Sequence, residues 1–364
     1  MTYGNNWLKT YLDAFISHPD TVAVRALTPL SVVNEAGERG RGQVLTLRQA
    51  VEQTPRLLLT GAPGAGKSSS MRLLALTLST ASTKEQRQSK SKHAPFVPIY
   101  IDLHDFHDSL EQTLADSTHG VLPVWREYND RTLVFFIDGL ERLRSDIQLA
   151  VLSSISTLMS TLGAQARWVL TCRSDALPLF RPWFNTAEVR SLRPLPPRDV
   201  VSMVRQRNGE GVATLIEGDD AVLALASRMR WLEALVQLTA TDTHQTIGDV
   251  RGELLWDWMA KVITLTNPAV PDARAVLMRM YQDMHTIREP WPLGDVMRNV
   301  FPHITNTAMV AQHLLGAPSD DPLMQCVQAL IGAGILVFDY EQQTVTFRHA
   351  LIRAIVVARH LVHM

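Results

Sequence analysis

Cysteine is scarce. Cys172 and Cys326 are the only two in 364 residues and lie far apart. They match no disulfide or zinc-ligand spacing, which suits a reducing compartment, so a cytoplasmic protein is expected. Net charge is also nearly absent. Lys and Arg number 35 against 36 Asp and Glu, a formal charge of −1, so no global basic field draws the chain to nucleic acid or a membrane surface. No apolar run reaches the roughly 18 residues of a membrane span. The opening MTYGNNWLKTYLDAF lacks the basic region and cleavage site of a secretory signal. No repeat recurs at solenoid periods. What remains is ordinary globular composition, 46% apolar and 20% charged, long enough for two or three cored domains.

Within that background one stretch stands out, RLLLTGAPGAGKSSSMRLLAL at 56–76. A short apolar strand (Leu57, Leu58, Leu59) leads into Gly61-Ala62-Pro63-Gly64-Ala65-Gly66-Lys67-Ser68-Ser69. A helix follows, with Met71, Leu74, Ala75 and Leu78 at apolar spacing. This is the P-loop pattern in its required setting. A triphosphate needs backbone N–H groups converging from a tight loop, and glycine permits that approach. The helix N-terminus adds partial positive charge. Lys67 can reach the β- and γ-phosphates, and the Ser68 hydroxyl can ligate Mg²⁺.

The second signal is TLVFFIDGLERL at 132–143. Leu133–Ile137 is apolar enough for a strand buried on both faces, and it ends in Asp138 with Glu141 three residues on. A P-loop enzyme needs an acid at the end of a neighbouring strand for Mg²⁺, and a second carboxylate can orient water. RWVLTC at 167–172 reads as another buried strand, ending at Arg173, which can face a γ-phosphate or pair with Asp175. Phe96–Asp102 and Glu188–Leu192 complete an expected α/β, doubly wound parallel sheet. Ahead of it, residues 5–17 read as an amphipathic helix, and Leu30–Val33 and Val44–Leu47 as a strand pair. The polar stretch Ser79–Lys92 reads as a solvated loop. His104-Asp105-Phe106-His107-Asp108 has the residues for a metal but no zinc spacing, and reads as a polar loop.

Pro-rich LRPLPP at 192–197 marks a boundary. Beyond it helices are expected over 199–207, 220–228, 231–240, 249–266, 274–285, 293–301, 306–315 and 321–331. Strands Ile335–Phe338 and Thr344–Phe347 then form a hairpin before a last helix from His349, a winged-helix arrangement. The expected parts are 1–50 (helix and hairpin), 51–193 (P-loop domain), 194–246 (small helical domain) and 247–364 (winged helix).

Together these motifs resemble the NACHT branch of the STAND NTPases, with WVLTCRSD, LRPLPPRDV and GILVFDYEQQTVTFRHALIRAIVVARHL extending the likeness over most of the chain. The resemblance implies an ATP/ADP switch, closed with ADP and oligomeric with ATP, hydrolysing slowly in signalling or antiviral defence. It gives Asp138 to Mg²⁺, Glu141 to the attacking water, Arg173 to the γ-phosphate and His349 to the ADP β-phosphate. It also implies effector and sensor modules. About fifty residues precede the P-loop and the chain stops at the winged helix, so those modules are expected on partners or on segments outside this sequence.

Three departures from the family pattern stand out. Arg142 replaces the second acid after Asp-Gly-Leu; Arg228–Leu232 lacks the proline expected near the nucleotide; Ala354-Ile355 replaces a Glu-aromatic pair. Two other readings are a DNA-binding AAA-type ATPase and a nucleotide-locked scaffold without turnover. The first needs a basic recognition helix, and neither 306–315 nor 322–331 carries Lys or Arg, so a nucleic-acid partner is not expected.

Overall fold

The computed structural model describes residues 6–19, 21, 31–34, 44–88, 96–103, 106, 109–117, 132–143, 145–208, 210–241, 251–267, 273–284, 289–348, 352–354 and 356–357. They divide into two compact units: Met1–Gly61 with Lys67–Arg193, and Ala62–Gly66 with Pro194–Met364.

The first unit is built on a seven-stranded sheet. Its strands are β1 (Ser31–Asn34), β2 (Leu45–Thr46), β3 (Arg56–Gly61), β4 (Phe96–Asp102), β5 (Thr132–Asp138), β6 (Ala166–Arg173) and β7 (Glu188–Leu192), in the order β2-β1-β7-β3-β6-β5-β4. The five strands from β7 to β4 are parallel, as an alternation of strands and helices dictates. The sheet is mixed, because the strand pair expected ahead of the parallel sheet joins its edge: β1 runs antiparallel to both β2 and β7. Ten residues separate the two early strands in sequence, fewer than the dozen or more that a parallel crossover needs.

The central strands are buried on both faces. Val134, Phe135, Phe136 and Ile137 of β5 and Val169 and Leu170 of β6 are all fully buried. Phe135 and Trp168, opposite each other on β5 and β6, stack with centroids 4.3 Å apart and planes 9° apart. The helix Ser145–Leu162 lays Val151, Leu152, Ile155 and Met159 into this core. By length and composition, Ile147–Gln165 is apolar enough to cross a membrane, one exception among the described residues to the expected lack of such a run.

Local chemistry moves two boundaries. The strand expected over Val44–Leu47 stops at Thr46, because Thr46 and Gln49 form a reciprocal capping box that starts the helix Leu47–Gln53. The loop expected over Ser79–Lys92 is, up to Gln88, a continuation of the P-loop helix Lys67–Gln88. Thr77, Thr80 and Thr83 hydroxyls bond back to carbonyls four residues earlier, and the Ser82 hydroxyl donates to Phe96 O at 2.8 Å. The hydroxyl-rich composition that suggested a loop is absorbed by the helix's own carbonyls and by β4.

The second unit is helical with a small sheet. Pro197–Asn208, Glu210–Glu217, Asp220–Ala226 and Met229–Thr241 come first; the second of these has no counterpart in the sequence reading. Arg251–Thr266, Ala273–Met284, Leu293–Val300, Thr307–Leu315 and Pro322–Gly332 follow. Trp231 and Trp258 pack edge-on at 5.0 Å. The Trp258 indole donates to Trp231 O at 2.7 Å, and the Trp231 indole to Ala333 O at 3.0 Å, so two buried tryptophans tie three helices together. The expected hairpin is present as β9 (Leu336–Asp339) and β10 (Thr344–Phe347), and a short strand β8 (Trp291–Pro292) adds antiparallel to β10. The sequence reading placed no strand at β8, since two residues are too few to show periodicity. His349 and most of the expected last helix lie outside the described residues, as do His104, Asp105, His107 and Asp108.

The Phe135–Trp168 stack predicts a large cavity penalty. Phe135→Ala should cost about 3–5 kcal/mol, read as a lower denaturation midpoint in urea at unchanged slope. A loss below about 1 kcal/mol would show that the stack is not part of the stabilising core.

Candidate nucleotide site

The strand β3 ends at Gly61, where the backbone turns through Ala62–Gly66 into the helix that begins at Lys67. Gly64 and Gly66 take φ values of 72° and 94°, the left-handed region where a side chain is strained. Within the second unit, the Arg230 N–H donates to Gly64 O at 3.2 Å, and a Cβ on Gly64 would sit 3.2 Å from Arg230 Cβ. Glycine is therefore needed at 64 for both conformation and contact.

Lys67 is buried, and its ammonium donates to Gly61 O at 2.7 Å, closing the loop on its own strand. Burial pushes the Lys67 ammonium below its ordinary value, while Glu141 and Asp138 pull it back up. Ser68 and Ser69 stand half-exposed in the helix's first turn, with amides not bonded within the helix.

Asp138 closes β5 and is 1% exposed. A buried carboxylate needs donors, and two are supplied. The Thr171 hydroxyl donates to Asp138 Oδ1 at 2.6 Å from β6, and the Tyr100 hydroxyl donates to Oδ2 at 3.1 Å from β4. The Thr171 oxygen in turn accepts the Gly139 N–H at 2.8 Å. Burial, with Asp138 adding to it, pushes the Tyr100 phenol well up, so it stays a donor. Tyr100 is held from behind as well: its N–H donates to the hydroxyl of buried Tyr11 at 3.3 Å, which ties the helix Asn6–Ser17 to β4.

Gly139, at φ 82°, turns the chain into a short 3-10 helix, Leu140–Arg142. This turn presents Glu141 and Arg142. Glu141 Oε2 is shielded from solvent without a hydrogen-bond partner, and burial raises its pKa despite Lys67 and Arg142 nearby. Arg173 ends β6, is buried, and grips Asp175 with both Nε (2.9 Å) and Nη2. The structure thus brings Lys67, Asp138, Glu141 and Arg173 into one electrostatic neighbourhood at the C-terminal end of the sheet. Ligands bind there in open α/β folds. Arg142 Nη1 lies 3.1 Å from Asp102 Oδ1, and Arg72 of the P-loop helix binds Asp102 Oδ2 at 3.2 Å.

Tyr100, Thr171, Asp102 and Arg72 escaped the sequence reading as site residues. Asp102 carried one usable signal, an acid at the end of an apolar strand, but its relevance depends on β4 lying beside β5. The reading that left Arg173 either to a phosphate or to Asp175 meets the pairing with Asp175, made by a buried rather than a surface side chain.

A Gly-rich loop between a buried strand and a helix, with a carboxylate on the strand one removed, defines a P-loop NTPase fold. Residues 55–210 match the family model of the NACHT domain. No curated protein matches the chain in sequence. Among solved structures it is similar to the Walker-type ATPase PABY2304 of Pyrococcus abyssi at 13% identity, covering 85% of this chain and 93% of that one, with a TM-score of 0.47. The Aeropyrum pernix ORC1 protein in complex with DNA aligns over 100% of this chain and 94% of that one, at 11% identity and a TM-score of 0.40. AMPPCP-bound DnaA from Aquifex aeolicus covers 73% and 83% at 14% identity and 0.38. Likenesses this distant carry no statement about activity.

The shielded Glu141 gives a sign for pH dependence. A carboxyl whose folded pKa is raised stabilises the fold below its unfolded pKa, about 4.3, and that contribution is lost as pH rises through the folded value. Glu141→Gln should therefore raise Tm at pH 7 to 8, with the gain vanishing below about pH 4. Thermal melts across that range check it; a gain that grows toward acid would contradict the burial of Glu141.

Proposed function

We propose that the chain is an adenine-nucleotide switch that binds ATP with Mg²⁺, hydrolyses it slowly and couples nucleotide state to self-assembly. The observation that carries this reading is Asp138: a fully buried carboxylate at a strand end, oriented by two donors, beside the P-loop lysine of a stretch that matches the NACHT domain model. Two donors leave Asp138 lone pairs for a hard cation. Among the described residues no group of three or more His, Cys, Asp or Glu forms a metal site, and Mg²⁺ on a nucleotide does not need one. It takes one carboxylate and a hydroxyl, here Asp138 and Ser68, with phosphate oxygens and water completing the shell. Mg²⁺ bound there would supply charge neutralisation between the phosphates.

In this reading Lys67 leaves the Gly61 carbonyl for a phosphate oxygen. The loop amides cradle the phosphates and Glu141, whose Oε2 has no partner inside the protein, takes a hydrogen bond from the attacking water. Arg173, held by Asp175, would have to leave that pairing to meet developing γ-phosphate charge. The resemblance adds His349 as a contact for the ADP β-phosphate, and effector and sensor partners in signalling or antiviral defence. The expectation of no nucleic-acid partner gains no support from the comparisons.

Lys67→Ala should weaken binding of a fluorescent ATP analogue at least about tenfold. Glu141→Gln should retain binding and lower phosphate release by about 10²- to 10⁴-fold. Sizing with ADP and with a non-hydrolysable ATP analogue should give a small and a large species. Unchanged turnover in Glu141→Gln would remove Glu141 from the chemistry, and a single size in both nucleotides would remove assembly from the proposal.

A further inference from the structure

Arg142 stands where the family resemblance expects an acid, and the structure shows what the exchange does. The register of β4 and β5 sets Asp102 directly beside Asp138, two carboxylates at neighbouring strand ends. Asp102 is not left to repel its neighbour. Arg142 Nη1 takes its Oδ1 at 3.1 Å and Arg72 Nη2 its Oδ2 at 3.2 Å. Arg72 also donates through Nε to the Tyr100 hydroxyl at 3.3 Å, the same hydroxyl that donates to Asp138. The stem of Arg142 is held against Gly139: a Cβ there would meet Arg142 Cδ at 2.8 Å and Nε at 3.0 Å. Burial works against the Arg142 charge, but Asp138, Asp102 and Glu141 more than offset it. The Arg142 side chain keeps 37% of its exposure, so its charge is fixed beside the carboxylates and still open to solvent.

We propose that Arg142 is a resident cation of the nucleotide site, a positioning residue that neutralises the paired Asp102 and Asp138 and lets the site take a nucleoside polyphosphate at low Mg²⁺. The charge balance supports it. Lys67, Arg72, Arg142 and Arg173 face Asp102, Asp138, Glu141 and Asp175, four cations against four carboxyls. An acid at 142 would make the same neighbourhood two charges more negative. Such a site repels phosphates until a divalent ion is bound, whereas the balanced site does so less and also attracts the ion less. The inference rests on the nucleotide-switch reading and sharpens its metal requirement.

The test is a Mg²⁺ titration of a fluorescent non-hydrolysable ATP analogue bound to the full chain, starting in EDTA. The variants are Arg142→Gln, which keeps the stem, Arg142→Glu, and Asp102→Asn, which is isosteric. Wild type should bind the analogue in EDTA. Arg142→Gln and Arg142→Glu should weaken that binding and lower the Mg²⁺ half-saturation by about tenfold or more, most for Glu. Asp102→Asn, which frees Arg142 to act on Asp138 alone, should raise the half-saturation. These opposite shifts separate electrostatics from a structural clamp, because loss of a clamp would move the Arg142 and Asp102 variants the same way. Coincident curves, or shifts of one sign for all three variants, would overturn the proposal while leaving the nucleotide reading intact. A wild type that binds no analogue with or without Mg²⁺ would overturn both.

Discussion

A carboxylate with almost no solvent exposure is tolerable only if the protein replaces the water it has lost. Asp138 sets that condition, and much of the first unit meets it. Thr171 must face it from β6 and Tyr100 from β4, so three neighbouring strands are fixed in register at their C-terminal ends. Tyr100 needs support of its own, and Tyr11 supplies it from the N-terminal helix. Gly139 then has to leave β5 in a left-handed turn, which is what presents Glu141 and Arg142. Packing of Phe135 on Trp168 stabilises the strands; the hydrogen bonds on Asp138 decide how their ends are aligned.

The charges near that carboxylate form two groups with different consequences. One is satisfied within the protein: Arg72 and Arg142 on Asp102, and Arg173 on Asp175. The other is Glu141 and Lys67. Glu141 Oε2 has no partner, and the Lys67 ammonium is held by a backbone carbonyl and pushed down by burial. Leaving a buried donor or acceptor unmet costs about 1–3 kcal/mol, so such groups call for an explanation. An attacking water would meet the unpaired Glu141 oxygen, and a phosphate would offer Lys67 a charged acceptor in place of the Gly61 carbonyl, which is why this site suits the proposed nucleotide switch.

How much of this could be read beforehand depends on where the information sits along the chain. The P-loop is contiguous, so Gly61 to Ser69 are legible from spacing alone. Asp138 and Glu141 are legible because a five-residue apolar run ends abruptly in acids. Tyr100, Thr171 and Asp102 are not, because their roles follow from which strands are neighbours, and strand order is not written locally. Arg142 was visible as an oddity, but its partner Asp102 is 40 residues away. The helix through Ser79–Gln88 was misread for a different reason. Its hydroxyls look like loop chemistry until they are paired with carbonyls four residues back.

Identifying the nucleotide carried through purification is the most direct test of the switch itself. Protein purified without added nucleotide would be denatured and the released small molecules separated by ion-exchange chromatography. An adenine-nucleotide switch should release adenine nucleotide, chiefly ADP, in an amount approaching one per chain. Release of no nucleotide, from a protein that also takes up none when MgATP is added, would contradict it.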